Sequence, residues 1–228
     1  GPHSVFPDED TVSNAVVEEF LRVLDRAAQS HLTVDLLISP HYFPTWALEK
    51  YPHLNSCGGC FLKYCVDAPE SREILERFLR HVIPQINTHP ALHSICLTNE
   101  PIYRRSHECT FTQNMWQNWL EEQHCAIDVL NERYNAQYSS FVDVPIPVDD
   151  AEAEPLYYDW SVFNHERFAG WHQWMADIIH ESAPALPVHA KIMMWMPFNR
   201  RYVTWGVDAE LFSRLSQING NDCVKLYP

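Results

Sequence analysis

Apolar positions in this chain recur with two spacings, and the two alternate. Val16, Val17, Phe20, Leu21, Val23, Leu24, Ala27 and Ala28 fall three and four residues apart, which predicts a helix over 13–30 with Ser13 or Asn14 as its cap. Ile74, Leu75, Phe78, Leu79, Val82 and Ile83 predict a second over 70–86. A long helix fits 111–137 through Met115, Trp116, Trp119, Leu120, Ile127, Leu130 and Tyr134, and another fits 160–182 through Phe163, Trp171, Trp174, Ile178 and Ile179. A short one fits 208–217. Between them lie apolar runs too short for helices: Val34 to Ile38, interrupted by Asp35; Ser94 to Leu97, closing at Thr98; Val188 to Trp195; and Cys223 to Leu226. The acidic, proline-bearing passage 143–156 reads as a surface loop.

Continuous apolar strands alternating with amphipathic helices predict parallel strands joined by right-handed crossovers. No G-x-G-x-x-G follows the first strand and no P-loop lysine motif occurs, so a nucleotide-binding α/β fold would lack its phosphate site. The α/β alternative is a (β/α)8 TIM barrel, which takes eight strands in about 250 residues. Only four strands are readable here. The expectation is a single barrel region over residues 1–228 that carries only part of the barrel.

Composition narrows the partners. A net charge of -14, with lysine and arginine dispersed, excludes nucleic acid and anionic membrane surfaces as partners. No apolar run reaches the length of a membrane span, and no leader pattern opens the sequence. Seven cysteines, an odd number in a chain too large to need staples, read as free thiols and favour a cytoplasmic setting. Cys57 and Cys60 have C-x-x-C spacing and Cys65 follows. A structural zinc there would want a fourth ligand such as Cys109 or a histidine, but the reading is ordinary thiols, no metal and no organic cofactor. The thirteen histidines are scattered, without His-x-His at a strand end or H-E-x-x-H. His165, His172 and His180 fall on a helix as surface or second-layer residues, and Cys125 and Cys223 read as core or strand filler.

The chemistry gathers where strands end. Thr98-Asn99-Glu100-Pro101 closes the second strand. Taken alone, Asn99 and Pro101 also suit a helix start. The first strand runs into Ser39-Pro40-His41-Tyr42-Phe43-Pro44-Thr45-Trp46, the third ends at Lys191 to Trp195, and the fourth at Tyr227-Pro228. Aromatic rings beside amides and one carboxylate suit a sugar: rings cover its C–H faces and polar groups bond its hydroxyls.

Four stretches carry a family resemblance. SPHYFPTWALEKYPHL resembles the loop after the third barrel strand of β-galactosidase-like enzymes of glycoside hydrolase family 42, and HPALHSICLTNEPIY resembles the fourth strand of the same retaining clan, which ends in Asn-Glu. The stretch from Tyr157 to Trp195 resembles the helix and fifth strand, and DAELFSRLSQINGNDCVKLYP the helix and sixth strand. The resemblance implies Glu100 as general acid/base, Asn99 as the amide that bonds the sugar 2-hydroxyl, and His41, Tyr103, Trp195 and Tyr227 as sugar-pocket residues. Some members of that family hold zinc with cysteines near the same face.

The implied function is retaining hydrolysis of O-glycosidic bonds in a glycoside or oligosaccharide substrate, in a chain that could form homo-oligomers. Retention needs two carboxyls about 5–5.5 Å apart. The clan's nucleophile is a glutamate on strand seven, whereas strands three to six are the ones matched here. Glu108, Glu166 and Glu210 read as solvated positions, so the nucleophile is unidentified and the 228 residues alone are expected to be catalytically weak. The rival readings are a carbohydrate-binding remnant without catalysis and a metal-dependent barrel hydrolase.

Overall fold

The computed structural model describes residues 4–58, 62–103, 106, 109–147, 155–193 and 205–222. Four parallel strands lie side by side in chain order: β1 (Val34–Leu37), β2 (Leu92–Asn99), β3 (Val188–Met193) and β4 (Gly220–Asp222). A doubly wound sheet reverses strand order at a switch point, and this one does not. Strictly sequential order is that of a barrel wall.

The helices form one layer against the sheet. α1 (Ala15–Gln29) packs on α3 (Pro69–Ile86), α3 on the 28-residue α6 (Pro155–Ser182), and α6 on α7 (Ala209–Leu215). Alternation along the strands explains the shared core. Val34 and Leu36 of β1, Ile95 and Leu97 of β2, and Val188 and Ala190 of β3 join a single hydrophobic cluster with Leu24, Leu79, Ile83, Phe168, Ile179 and Phe212 of the helices. The opposite face carries Asp35, Ser94, Cys96 and His189, which touch one another across three strands: Asp35 accepts from Ser94 Oγ at 2.8 Å and lies 3.1 Å from His189 Nε2. β4 contributes a glycine here for a steric reason. A Cβ on Gly220 would sit 2.0 Å from His189 Nδ1 and 2.8 Å from the Ala190 carbonyl oxygen.

Several predicted boundaries move. The long helix expected over 111–137 is two, α4 (Thr110–His124) and α5 (Ile127–Tyr134). Cys125, with φ 63°, and extended Ala126 break it. Cys125 is therefore an exposed helix terminator instead of core filler. The break folds α5 back on α4 and α6, so that Leu130 joins Trp116, Leu120, Val144, Ile146, Trp160 and Phe163 in a second, smaller core. A continuous helix would have carried Leu130 away from it. Pro44 leads into the short helix α2 (Thr45–Lys50), inside the stretch that resembles a strand-end loop, and a 3-10 turn, Pro52–Ser56, follows. The expected strand Cys223–Leu226 lies outside the described residues. Among the described residues, no helix is long and apolar enough to cross a membrane.

Candidate active site at the strand ends

Glu100 directly follows the last residue of β2, and its backbone adopts φ 47°. Ser39, just beyond β1, has φ 46°. The left-handed region costs a residue with a side chain about 1–2 kcal/mol, so each turn must be held by its surroundings. Around Glu100 the holding groups are specific. Its N–H donates to the Lys191 carbonyl oxygen at 2.8 Å, and the Asn99 N–H donates to His41 Nε2 at 3.2 Å.

A bulge aims this tip. Between Cys96 and Asn99, β2 advances three residues while β3 advances two, from His189 to Lys191. Leu97 and Thr98 therefore both face the helix layer: Leu97 enters the main core, and Thr98 Oγ1 lies 2.8 Å from His172 Nε2 on α6. Alternation then turns Asn99 to the other face of the sheet. A bulge beside a strand end commonly re-aims a side chain in this way.

The two histidines are neutral. His172 is fully buried and Nδ1 lies 2.8 Å from the Phe168 carbonyl oxygen, so Nδ1 carries the proton and Nε2 accepts from the Thr98 hydroxyl. Burial pushes its pKa down to about 3. Burial also lowers that of His41, whose Nε2 must be unprotonated to accept from Asn99.

The other expected pocket residues fare differently. Asn99, Glu100 and His41 come together. Tyr103 does not line an open pocket. It is 0 % exposed, its ring stacks on Phe168, and its hydroxyl accepts from the Val66 N–H at 3.2 Å. Its N–H donates to the Trp205 carbonyl oxygen, and its own carbonyl oxygen accepts from Asn164 Nδ2 at 2.6 Å. Tyr103 is thus an anchor for the loop after Glu100. Trp195, Tyr227 and Glu108 lie outside the described residues. Glu166 accepts from Trp119 Nε1, and Glu210 pairs with Arg214 within one helix face, so both are helix-face residues as read. Tyr42, which the sequence placed among the strand-end aromatics, is 88 % exposed, whereas neighbouring Phe43 stacks on Tyr64 at 4.2 Å.

A buried ion pair that sequence reasoning missed anchors the same loop. Arg167 and Asp67 side chains are 1 % and 0 % exposed and 3.0 Å apart. Arg167 also bonds Ser106 Oγ, Thr112 Oγ1 and Asn164 Oδ1, and lies over the Tyr103 ring. No spacing in the sequence links position 67 to position 167.

Among the described residues, two groups of donor atoms could hold a metal. The Sγ atoms of Cys57, Cys65 and Cys109 are buried within 4.8 Å of one another, with Cys65 and Cys109 2.9 Å apart. Hydrogen bonds with Cys57 and Cys65 hold Cys109 well below the usual thiol range, and hydrogen bonds with Cys109 and Cys57 push Cys65 up. Three soft, buried sulfur donors suit a tetrahedral zinc. Cys60, the C-x-x-C partner of Cys57, lies outside the described residues. The second group, Asp35, Cys96 and His189, already satisfies Asp35 through Ser94 and His189.

A β-galactosidase family model, that of glycoside hydrolase family 42, matches residues 7–221. The chain belongs to glycoside hydrolase family 42. A β-galactosidase of Heyndrickxia coagulans is 23% identical over 203 residues, covering 82% of this chain and 30% of that protein. Among solved structures, the cold-adapted β-galactosidase of Rahnella sp. R3 superposes with a TM-score of 0.80 at 20% identity, over 96% of this chain and 32% of that one. The family-42 exo-carrageenase of Bacteroides ovatus gives 0.70 at 24% identity, over 88% and 30%. The chain thus spans about a third of the length of the family-42 proteins it resembles. The four strands of the described residues are a parallel half-barrel portion of the family's TIM barrel.

Proposed function

We propose that this region carries the acid/base half of a β-galactosidase-like active site that hydrolyses O-glycosidic bonds with retention. The observation that supports it most is the placement of Glu100: directly after a parallel strand, beside Asn99, on a turn held in a strained conformation by Lys191 and His41. Strain that its surroundings over-determine is a mark of functional positions. In this reading Glu100 protonates the leaving glycosidic oxygen and then takes the proton from the attacking water, while Asn99 bonds a sugar hydroxyl. The partner carboxylate attacks the anomeric carbon from the opposite face.

Cys57, Cys65 and Cys109 would hold a structural zinc that ties the segment 57–65 to the start of α4. In this reading no catalytic step passes through them.

Leaving-group dependence tests the assignment in the full-length protein. With Glu100→Gln, turnover of an unactivated β-galactoside should fall by about 10²–10⁴-fold, the usual worth of a general acid. An aryl β-galactoside with an acidic phenol leaving group needs less proton donation and should lose far less in the glycosylation step. Equal losses on both substrates would reject Glu100 as the acid.

A further inference from the structure

We propose that His172, acting through Thr98, is the positioning residue that sets the direction of Glu100. The inference rests on the acid/base reading of Glu100. Its own evidence is a continuous path of side chains from the helix layer to the strand tip.

The path starts at the Phe168 carbonyl oxygen on α6, which accepts from His172 Nδ1 at 2.8 Å. That bond leaves Nε2 with a lone pair, which faces the Thr98 hydroxyl at 2.8 Å. Both side chains are 0 % exposed, so neither can exchange its partner for water. The imidazole is wedged between rings: Phe168 at 4.7 Å, Trp171 at 5.0 Å and Phe212 at 4.6 Å between centroids. It has one orientation. Thr98 in turn occupies the bulge, the two-for-one step that decides which face Asn99 takes.

Three successive residues are then fixed by three different partners: Thr98 by His172 through its side chain, Asn99 by His41 through its N–H, and Glu100 by Lys191 through its N–H. Without the Thr98 hydroxyl bond, the residue at the bulge has no polar reason to face α6. An ordinary alternating strand would point Asn99 toward the helices and remove Glu100 from its turn. An imidazole that stays neutral suits the task, because it fixes a hydroxyl in an apolar layer without placing a cation beneath the acid/base. Among the described residues, the titratable group that bears electrostatically on it is His41, itself held neutral by burial.

The test uses full-length protein, two His172 variants and two substrates. His172→Gln can present an acceptor near the position of Nε2, whereas His172→Asn can replace only the donor near Nδ1. The readout is the ratio of kcat/KM for an unactivated β-galactoside to that for an activated aryl β-galactoside. The proposal expects His172→Asn and Thr98→Val to lower this ratio by about 10-fold or more, as misplacement of a catalytic group does. His172→Gln and Thr98→Ser should stay within about 3-fold of wild type. Equal losses on both substrates, or an unchanged ratio in the Asn variant, would make the histidine a packing residue and overturn the proposal. If Thr98→Val does not fold, the Gln–Asn pair decides. Glu100→Gln is run alongside. If its ratio does not fall, the acid/base reading fails by its own signature, and the positioning claim falls with it.

Discussion

Two buried polar nodes flank the strand tip, and they are built on opposite principles. Beneath Thr98 the node is neutral, a hydroxyl, an imidazole and a carbonyl with one hydrogen bond per step. Beneath the following loop it is charged, with Arg167 and Asp67 enclosed together and the terminal guanidinium nitrogens also bonding Ser106, Thr112 and Asn164. A neutral node is inexpensive to bury and adds no field at a nearby carboxyl. A charged node is costly to enclose, but once enclosed it is unforgiving of loss, because a single substitution strands a charge in a dry interior. The first suits aiming a group whose protonation matters, and the second suits locking a loop whose charge state does not.

The largest expected difference is in stability. Arg167→Met leaves the Asp67 carboxylate buried without its cation and should cost about 3–5 kcal/mol in denaturant unfolding. Arg167→Met combined with Asp67→Leu should recover a large part of that loss. No recovery would mean that the remaining polar partners of Arg167, not the ion pair, carry the node.

Acid separates the nodes next. His172 has a folded pKa near 3, below the ordinary value of 6.5, so between those values the unfolded chain binds a proton that the folded chain does not. Stability then falls as pH drops below 6.5, by up to about 1.4 kcal/mol per pH unit from this group. In His172→Gln that contribution should vanish. An unchanged pH slope in the variant would show that His172 does not titrate from a buried, neutral state.

Metal removal should have a smaller effect, and an indirect one. Purified protein should contain about one zinc per chain, lost in Cys109→Ser, and chelation should lower Tm while the folded fraction keeps activity within about 3-fold, as for a structural site. Metal-free wild type with an unchanged Tm would return the cysteines to ordinary thiols. At the small end, Arg214→Ala on α7 breaks an exposed pair and should change stability by less than about 0.5 kcal/mol.

The comparison also explains what the sequence could tell. The strand tip was legible because an apolar run, a small polar residue and Asn-Glu-Pro sit together within a few positions. The barrel order was legible because strands and helices of normal length alternate. α2 escaped because six residues after Pro44 are too few to show a period. The end of α4 escaped because a cysteine, not a glycine, occupies the left-handed position. His172 and Arg167 escaped for a common reason: α6 is buried around most of its circumference and exposes a narrow face through Glu166, Gln173, Asp177 and Glu181, so the sequence gives little by which to judge where a histidine or arginine off that face points. Tyr103 misled because a tyrosine after a strand looks the same whether it faces the pocket or the layer beneath. Cys109 came beside Cys65 through the packing of α4's start, which no local spacing encodes.

Azide rescue distinguishes Glu100 as the acid/base of a retaining site from every other role. In full-length Glu100→Gln assayed with an activated aryl β-galactoside, azide needs no general base and should take the place of water on the glycosyl-enzyme. The account predicts faster turnover with added azide and a galactosyl azide of the same β configuration as the substrate. Azide that leaves the rate unchanged, or an α-configured product, would contradict it.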